Sequence, residues 1–193
     1  IPFFLAAGMA ILALVLAWIF LPESLPTGER QKPEKQTGIL EMRVWLQTIR
    51  SPLGVLFLLT FISTCGLMIF ANVFGLYALE RFSFGTEEVG VMMMVLGLVS
   101  AIAQGVLAGP LTARWGEERV IKAGLLAPAV GFILMLLADT YLTIMLTTAF
   151  FGLGTALQIA ALTSMSSKRA TVPQGIAMGL SNSFVSLGRI FGP

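Results

Sequence analysis

Six long apolar stretches constrain this chain more than any other feature: residues 2–21, 53–79, 89–110, 120–138, 142–164 and 173–193. A run of about 18 or more apolar residues with few charges matches the ~30 Å hydrocarbon core of a bilayer. In lipid, every backbone N–H and C=O must be bonded within the protein, which leaves α-helices or a closed barrel. A barrel strand needs only about 9–11 residues, and these runs lack period-two alternation, so helices are predicted. Composition agrees: 11% of the residues are charged, against roughly 25% in an ordinary soluble domain. The expected fold is an all-α membrane bundle.

The connections alternate in charge. Arg30, Lys32, Lys35, Arg43 and Arg50 lie in segment 22–51, Arg114, Arg119 and Lys122 at the next such connection, and Lys168 and Arg169 at the third. The other connections, 80–88 and 139–141, hold Arg81 alone. Basic loops stay in the cytoplasm, so ten basic residues against one put the long segment inside and Glu80 to Glu88 outside. Segment 22–51 opens on Pro22 and Pro26, which stop a helix, and reads as a linker. From Ile39 to Arg50 the apolar residues Ile39, Met42, Trp45, Leu46 and Ile49 recur at helical spacing, the pattern of a short surface helix. The start, Ile1-Pro2-Phe3-Phe4, lacks the basic region of a signal peptide. A chain that starts and stops inside apolar runs is expected to be a piece of a larger molecule.

Polar side chains inside lipid are costly and face protein or a water-filled path. Segments 2–21 and 120–138 have almost none at their centres and are expected to be peripheral, while the other four carry several each. Thr64, Met68, Asn72 and Gly75 share one helical stripe, and Thr147, Phe151, Thr155 and Gln158 share another. These mixed stripes are candidates for a solute path: Thr64, Met68 and Asn72 on one helix, Thr147, Phe151, Thr155 and Gln158 on the other. The competing reading is that Asn72, Gln104 and Gln158 only make interhelical hydrogen bonds, worth about 1 kcal/mol each. On the last segment, Gly175, Gly179, Asn182, Ser186, Arg189 and Pro193 recur at steps of four and three. Small residues on one stripe allow close helix approach, so packing is expected there. Arg189 is the one full charge inside an apolar segment and needs acceptors.

There is no histidine and a single cysteine, Cys65, so a Cys/His metal site, a histidine-based catalytic centre and an internal disulfide are excluded. No Asp or Glu lies mid-segment, so a membrane-embedded proton carrier is not in this piece. No nucleotide-binding loop occurs. No enzyme, cofactor, metal or nucleic-acid partner is expected.

The segment Gly109-Pro110-Leu111-Thr112-Ala113-Arg114-Trp115-Gly116-Glu117-Glu118-Arg119 resembles the signature loop Gly-x-Leu-x-Asp-Arg-x-Gly-Arg-Arg/Lys-Arg of the major facilitator superfamily, in its second-half copy. Gly109, Leu111, Arg114, Gly116 and Arg119 match. Ala113 replaces the Asp, and Glu117 and Glu118 replace basic residues, so a gating salt bridge through that Asp is not expected. The end, Pro173-Gln174-Gly175 through Ser186 to Gly192-Pro193, resembles the eleventh helix of drug:proton antiporters of the twelve-helix type, and Leu21-Pro22-Glu23-Ser24 their exit from helix six. The resemblance implies helices six to eleven: 1–21 ending the N-terminal half, 22–51 a cytoplasmic linker, and 52–193 a C-terminal bundle truncated in its fifth helix. Helices seven and ten would line the cavity, eight and eleven would meet the other half, and six and nine would be outermost. Gln104, Gly109, Arg114, Gly116, Arg119, Gly175, Gly179, Asn182, Ser186, Arg189, Gly192 and Pro193 become packing or gating candidates. The implied activity is proton-coupled efflux of amphipathic small molecules across a bacterial inner membrane. The implied partners are that solute, protons, the bilayer and the rest of the protein. A sugar or metabolite transporter, or a structural or sensory membrane protein, is the alternative.

Overall fold

The computed structural model describes residues 2–20, 49–170 and 174–193, which form six helices and, among the described residues, no strand. Helix α1 is Pro2–Phe20, a 19-residue run apolar on every face. It belongs to a unit separate from the one that begins at Met42. The expected linker lies outside the described residues, as does the surface helix except for its last two residues, Ile49 and Arg50, which are helical.

Helix α2, Pro52–Phe82, starts at Ser51, whose hydroxyl accepts from Leu53 N at 3.2 Å, with Pro52 in the first-turn position that its missing N–H favours. It outruns the expected end by three residues. Ser83 then turns left-handed (φ 57°), and Phe84 N donates to Ala78 O, the paired closure that satisfies terminal carbonyls.

Helix α3, Thr86–Trp115, contains a π-helical turn at Ala103–Leu107, where Ala108 N donates to Ala103 O. This corrects the expected end at 110. Pro110 lacks an N–H and presses on the carbonyl four residues earlier, which in a regular helix forces a kink or a stop. The wider turn just before it takes up that misfit, so residues 111–115 are helix and not loop. The true corner is Gly116, at φ 79°, where a side chain would be strained.

Helix α4, Glu117–Leu136, turns through 137–140 into α5, Tyr141–Lys168, whose start is closed by reciprocal bonds between Thr140 and Thr143. Helix α6 is Gln174–Phe191. Helix α5 is the hub: α2, α3, α4 and α6 all pack on it, and α6 also lies along α2. Two apolar cores result. One gathers Leu53, Phe57, Val120, Leu162, Met165 and Leu180, and the other Phe70, Phe74, Met92, Met135, Ile144 and Phe151. Among the described residues, four helices (α2 to α5) are long and apolar enough to cross a membrane. Helix α6 is amphipathic, because Asn182, Ser183, Ser186 and Arg189 interrupt its apolar run.

Candidate functional site

Between the two apolar cores lies a polar belt at the middle of α2 and α5. Gln158 of α5 is 2% exposed, and its Nε2 donates to Ser63 Oγ of α2. Thr155, one turn earlier, is 8% exposed and closes its hydroxyl on the carbonyls of Phe151 and Gly152 at 3.0 Å. Thr60, Ser63 and Thr64 of α2 also donate to carbonyls four residues back. Each hydroxyl therefore has a partner where no water is needed, the arrangement that makes polar groups tolerable in an apolar interior.

The belt forms because α4 comes close to α5. A Cβ built on Gly124 would stand 2.7 Å from Gln158 Cβ, one on Gly154 2.6 Å from Ala127 Cβ, and one on Gly131 3.2 Å from Phe151 Cβ. The contacts climb α4 from Gly124 to Gly131 while they descend α5 from Gln158 to Phe151, so missing side chains let two antiparallel backbones meet along one seam. Phe151, at its outer end, is 1% exposed and packs its ring on Phe70 (4.5 Å between centroids) and Phe132 (4.9 Å). Phe151, Thr155, Gln158 and Ser63 border a small cleft of about 90 Å³ between α2, α4 and α5. Phe132 separates it from an apolar cleft of about 200 Å³ bordered by Phe70, Phe74, Tyr77 and Met135, where Tyr77 Oη donates to Met135 O at 2.9 Å.

The two predicted solute stripes do not face one another. On α5, Thr147 is half-buried and bonded to Ile144 O, while Phe151, Thr155 and Gln158 point into the bundle. On α2, Thr64 and Met68 turn toward α6, where Gly188 sits against Thr64 and Gly192 against Met68. Asn72 is exposed, with Nδ2 donating to Met68 O at 2.8 Å. Ser63 and the seam glycines Gly124, Gly131 and Gly154 were missed by sequence reasoning. The spacing Gly124 to Gly131, facing Gly154 across a short turn, was the available signal.

The packing and gating candidates also separate. Gly175, Gly179, Asn182, Ser186, Arg189 and Pro193 are exposed, and Ser186 Oγ donates to Asn182 O. The face of α6 that the bundle buries is instead Ala177, Leu180, Ser181, Gly188 and Gly192. Gln104 lies exposed in the π-helical turn, and Gly109, Arg114, Gly116 and Arg119 are exposed on either side of the α3–α4 corner. Glu117 Oε1 accepts from Ser164 Oγ and pairs with Lys168 Nζ, both at 2.7 Å, and Glu118 pairs with Arg169 at 2.7 Å. At the opposite end, Arg81 meets Asp139 at 3.2 Å. Among the described residues no cluster of His, Cys, Asp or Glu suits a metal ion.

Known proteins give this architecture a context. The chain is 33% identical over 196 residues to Multidrug resistance protein 1 and 30% identical over 196 residues to Multidrug resistance protein 2, both of Bacillus subtilis; each match covers all of this chain and 48% of the relative. It is 32% identical over 197 residues to the class G tetracycline resistance protein of Vibrio anguillarum, covering all of this chain and 49% of that protein. The chain thus spans about half the length of the curated relatives it matches. The profile of the Major Facilitator Superfamily matches residues 1–193, and together with four apolar helices of spanning length this makes the chain a multi-pass integral membrane protein belonging to the Major Facilitator Superfamily.

Proposed function

We propose that the protein containing this chain is a secondary transporter that exports drugs or other amphipathic small molecules across a bacterial inner membrane in exchange for protons, by alternating access around a midplane site. In this reading the six helices are numbers six to eleven of twelve. Helix α1 ends the first half, residues 22–51 are the cytoplasmic linker, and α2 to α6 belong to the second half. The observation that carries the reading is the set of polar groups the bundle leaves uncovered on apolar helices: Asn72 on α2, Gln104 on α3, and Asn182, Ser186 and Arg189 on α6. Such groups are too costly to leave in hydrocarbon, so protein or a water-filled path must meet them. The names of the relatives support a drug as the solute.

The candidate path residues divide by burial. Phe151, Thr155 and Gln158 border a cleft of about 90 Å³, well short of the ~300–1,000 Å³ of a typical small-molecule site. They therefore hold the helices that shape the path. Asn72, exposed on α2, is the candidate for touching the solute, and Arg189 finds its acceptors outside the described bundle.

The test is transport by the full-length protein in proteoliposomes. An imposed pH gradient should drive movement of a lipophilic cationic dye, and a protonophore should stop it. Sugar uptake in place of dye movement would assign a metabolite transporter, and absence of any transport would leave a structural or sensory role.

A further inference from the structure

The inner corner between α3 and α4 carries more positive charge than its carboxylates neutralise. Both acids that open α4 are engaged by α5, Glu117 with Lys168 and Ser164, and Glu118 with Arg169. Among the described residues, Arg114, Arg119 and Lys122 take part in no ion pair or side-chain hydrogen bond. Arg114 and Arg119 instead border an open cavity of about 430 Å³, together with Trp115, Arg169 and the already paired Glu117 and Glu118. Counting Lys168, four cations and two carboxylates meet at this corner.

Position says what meets those charges. Arg114 and Trp115 end α3, and Arg119 lies in the first turn of α4, both helices of membrane-spanning length. Their junction therefore stands where hydrocarbon gives way to headgroups. Trp115 is 55% exposed, as an indole at the interface should be. Guanidinium forks match the oxygens of a phosphate in two-point contact. The Lys/Arg distribution puts the corner on the cytoplasmic side, whose leaflet carries anionic lipid.

We propose that the α3–α4 corner is a binding site for the phosphodiester headgroup of an anionic phospholipid, held by Arg114 and Arg119 with Trp115 seated beside it. The acids at 117 and 118 sharpen the site. By pairing with α5 they fix the corner and draw Lys168 and Arg169 toward it, and they leave the two arginines uncompensated.

Native mass spectrometry of the purified full-length protein, equilibrated with phosphatidylglycerol, with phosphatidylcholine or with inorganic phosphate alone, tests this. The protein should retain phosphatidylglycerol in preference to phosphatidylcholine, and only phosphatidylglycerol should raise the thermal midpoint. R114Q/R119Q should weaken phosphatidylglycerol retention by roughly tenfold or more, R114K/R119K should retain part of it, and R81Q, at the opposite end, should leave it unchanged. Should the double glutamine variant not fold, R119Q alone carries the comparison, with a smaller loss expected. Retention by R114Q or R119Q variants equal to that of the unmodified protein would overturn the site, and an equal thermal shift with inorganic phosphate would reassign it to a soluble anion.

Discussion

Helices α5 and α6 carry polar stripes of the same four-and-three spacing, yet the bundle treats them in opposite ways. The stripe of α5, Thr147 to Gln158, runs into the interior, where α4 comes close enough to bury it. The stripe of α6, Gly175 to Pro193, faces away, and α6 packs on α2 through its other face at Gly188 and Gly192. Spacing states which residues share a face. Whether that face meets a neighbour depends on the neighbour's surface. Helix α4 offers glycines at 124 and 131 where α5 needs room, and the described bundle offers α6 no equivalent on its polar side.

The contrast breaks most sharply at the glycines. Gly124→Leu would push a branched side chain into Gln158, whose Cβ and backbone lie within about 3.0 Å of the new Cβ. Overpacking of this kind costs about 1–3 kcal/mol or more, so membrane abundance and thermal midpoint should both fall markedly. Gly179→Leu, on the exposed stripe, should leave the fold of this bundle intact and affect transport alone. Equal losses of abundance in the two variants would erase the distinction.

Next in size is the belt. Gln158→Ala removes the bond to Ser63 and enlarges the small cleft that both side chains border. An interhelical bond in a membrane protein is worth about 0.6–2 kcal/mol, so a drop of a few degrees in thermal midpoint is expected. A double-mutant cycle with Ser63→Ala should be non-additive. Additive effects would mean that the two side chains act independently.

A smaller structural effect is expected at Asn72. Its amide is exposed and bonded only to its own helix, so Asn72→Ala should change stability by less than about 0.5 kcal/mol while altering which dyes the full-length protein exports. A variant whose transport loss merely tracks its abundance would make Asn72 a packing residue. Of similar size is the effect of breaking the pair Glu117–Lys168, with a largely exposed lysine. Glu117→Gln should cost roughly 0–1 kcal/mol, and the cost should shrink in high salt.

Much of the fold is legible in the sequence because lipid imposes a length and a polarity on every crossing helix. The six segments appear as six helices. Their ends were harder to place, since α2 closes through a left-handed Ser83 that no composition rule marks, and α3 passes Pro110 through a π-helical turn. Helix α4, expected to be peripheral, keeps Leu126, Ile133 and Leu136 exposed but buries Val120, Ile121, Gly124, Gly131 and Met135 in the bundle. The site was less legible. Ser63 and Gln158 lie 95 residues apart, and their meeting depends on the register of helices that are not neighbours in sequence. The α4–α5 register was recoverable, because a short turn obliges the two to run antiparallel, and Gly124 then falls opposite Gln158 and Pro128 opposite Gly154.

In this account one polar stripe is structural and the other faces an aqueous path. Thr155→Cys and Ser186→Cys test it most directly, since both replace a hydroxyl with a thiol of similar size. In a Cys65-free, full-length protein, a small hydrophilic thiol reagent should modify Cys at 186 at least about tenfold faster than Cys at 155, because reaction needs solvent access to the thiolate. A transported solute should slow the faster reaction. Equal rates at the two positions, or faster reaction at 155, would contradict the account.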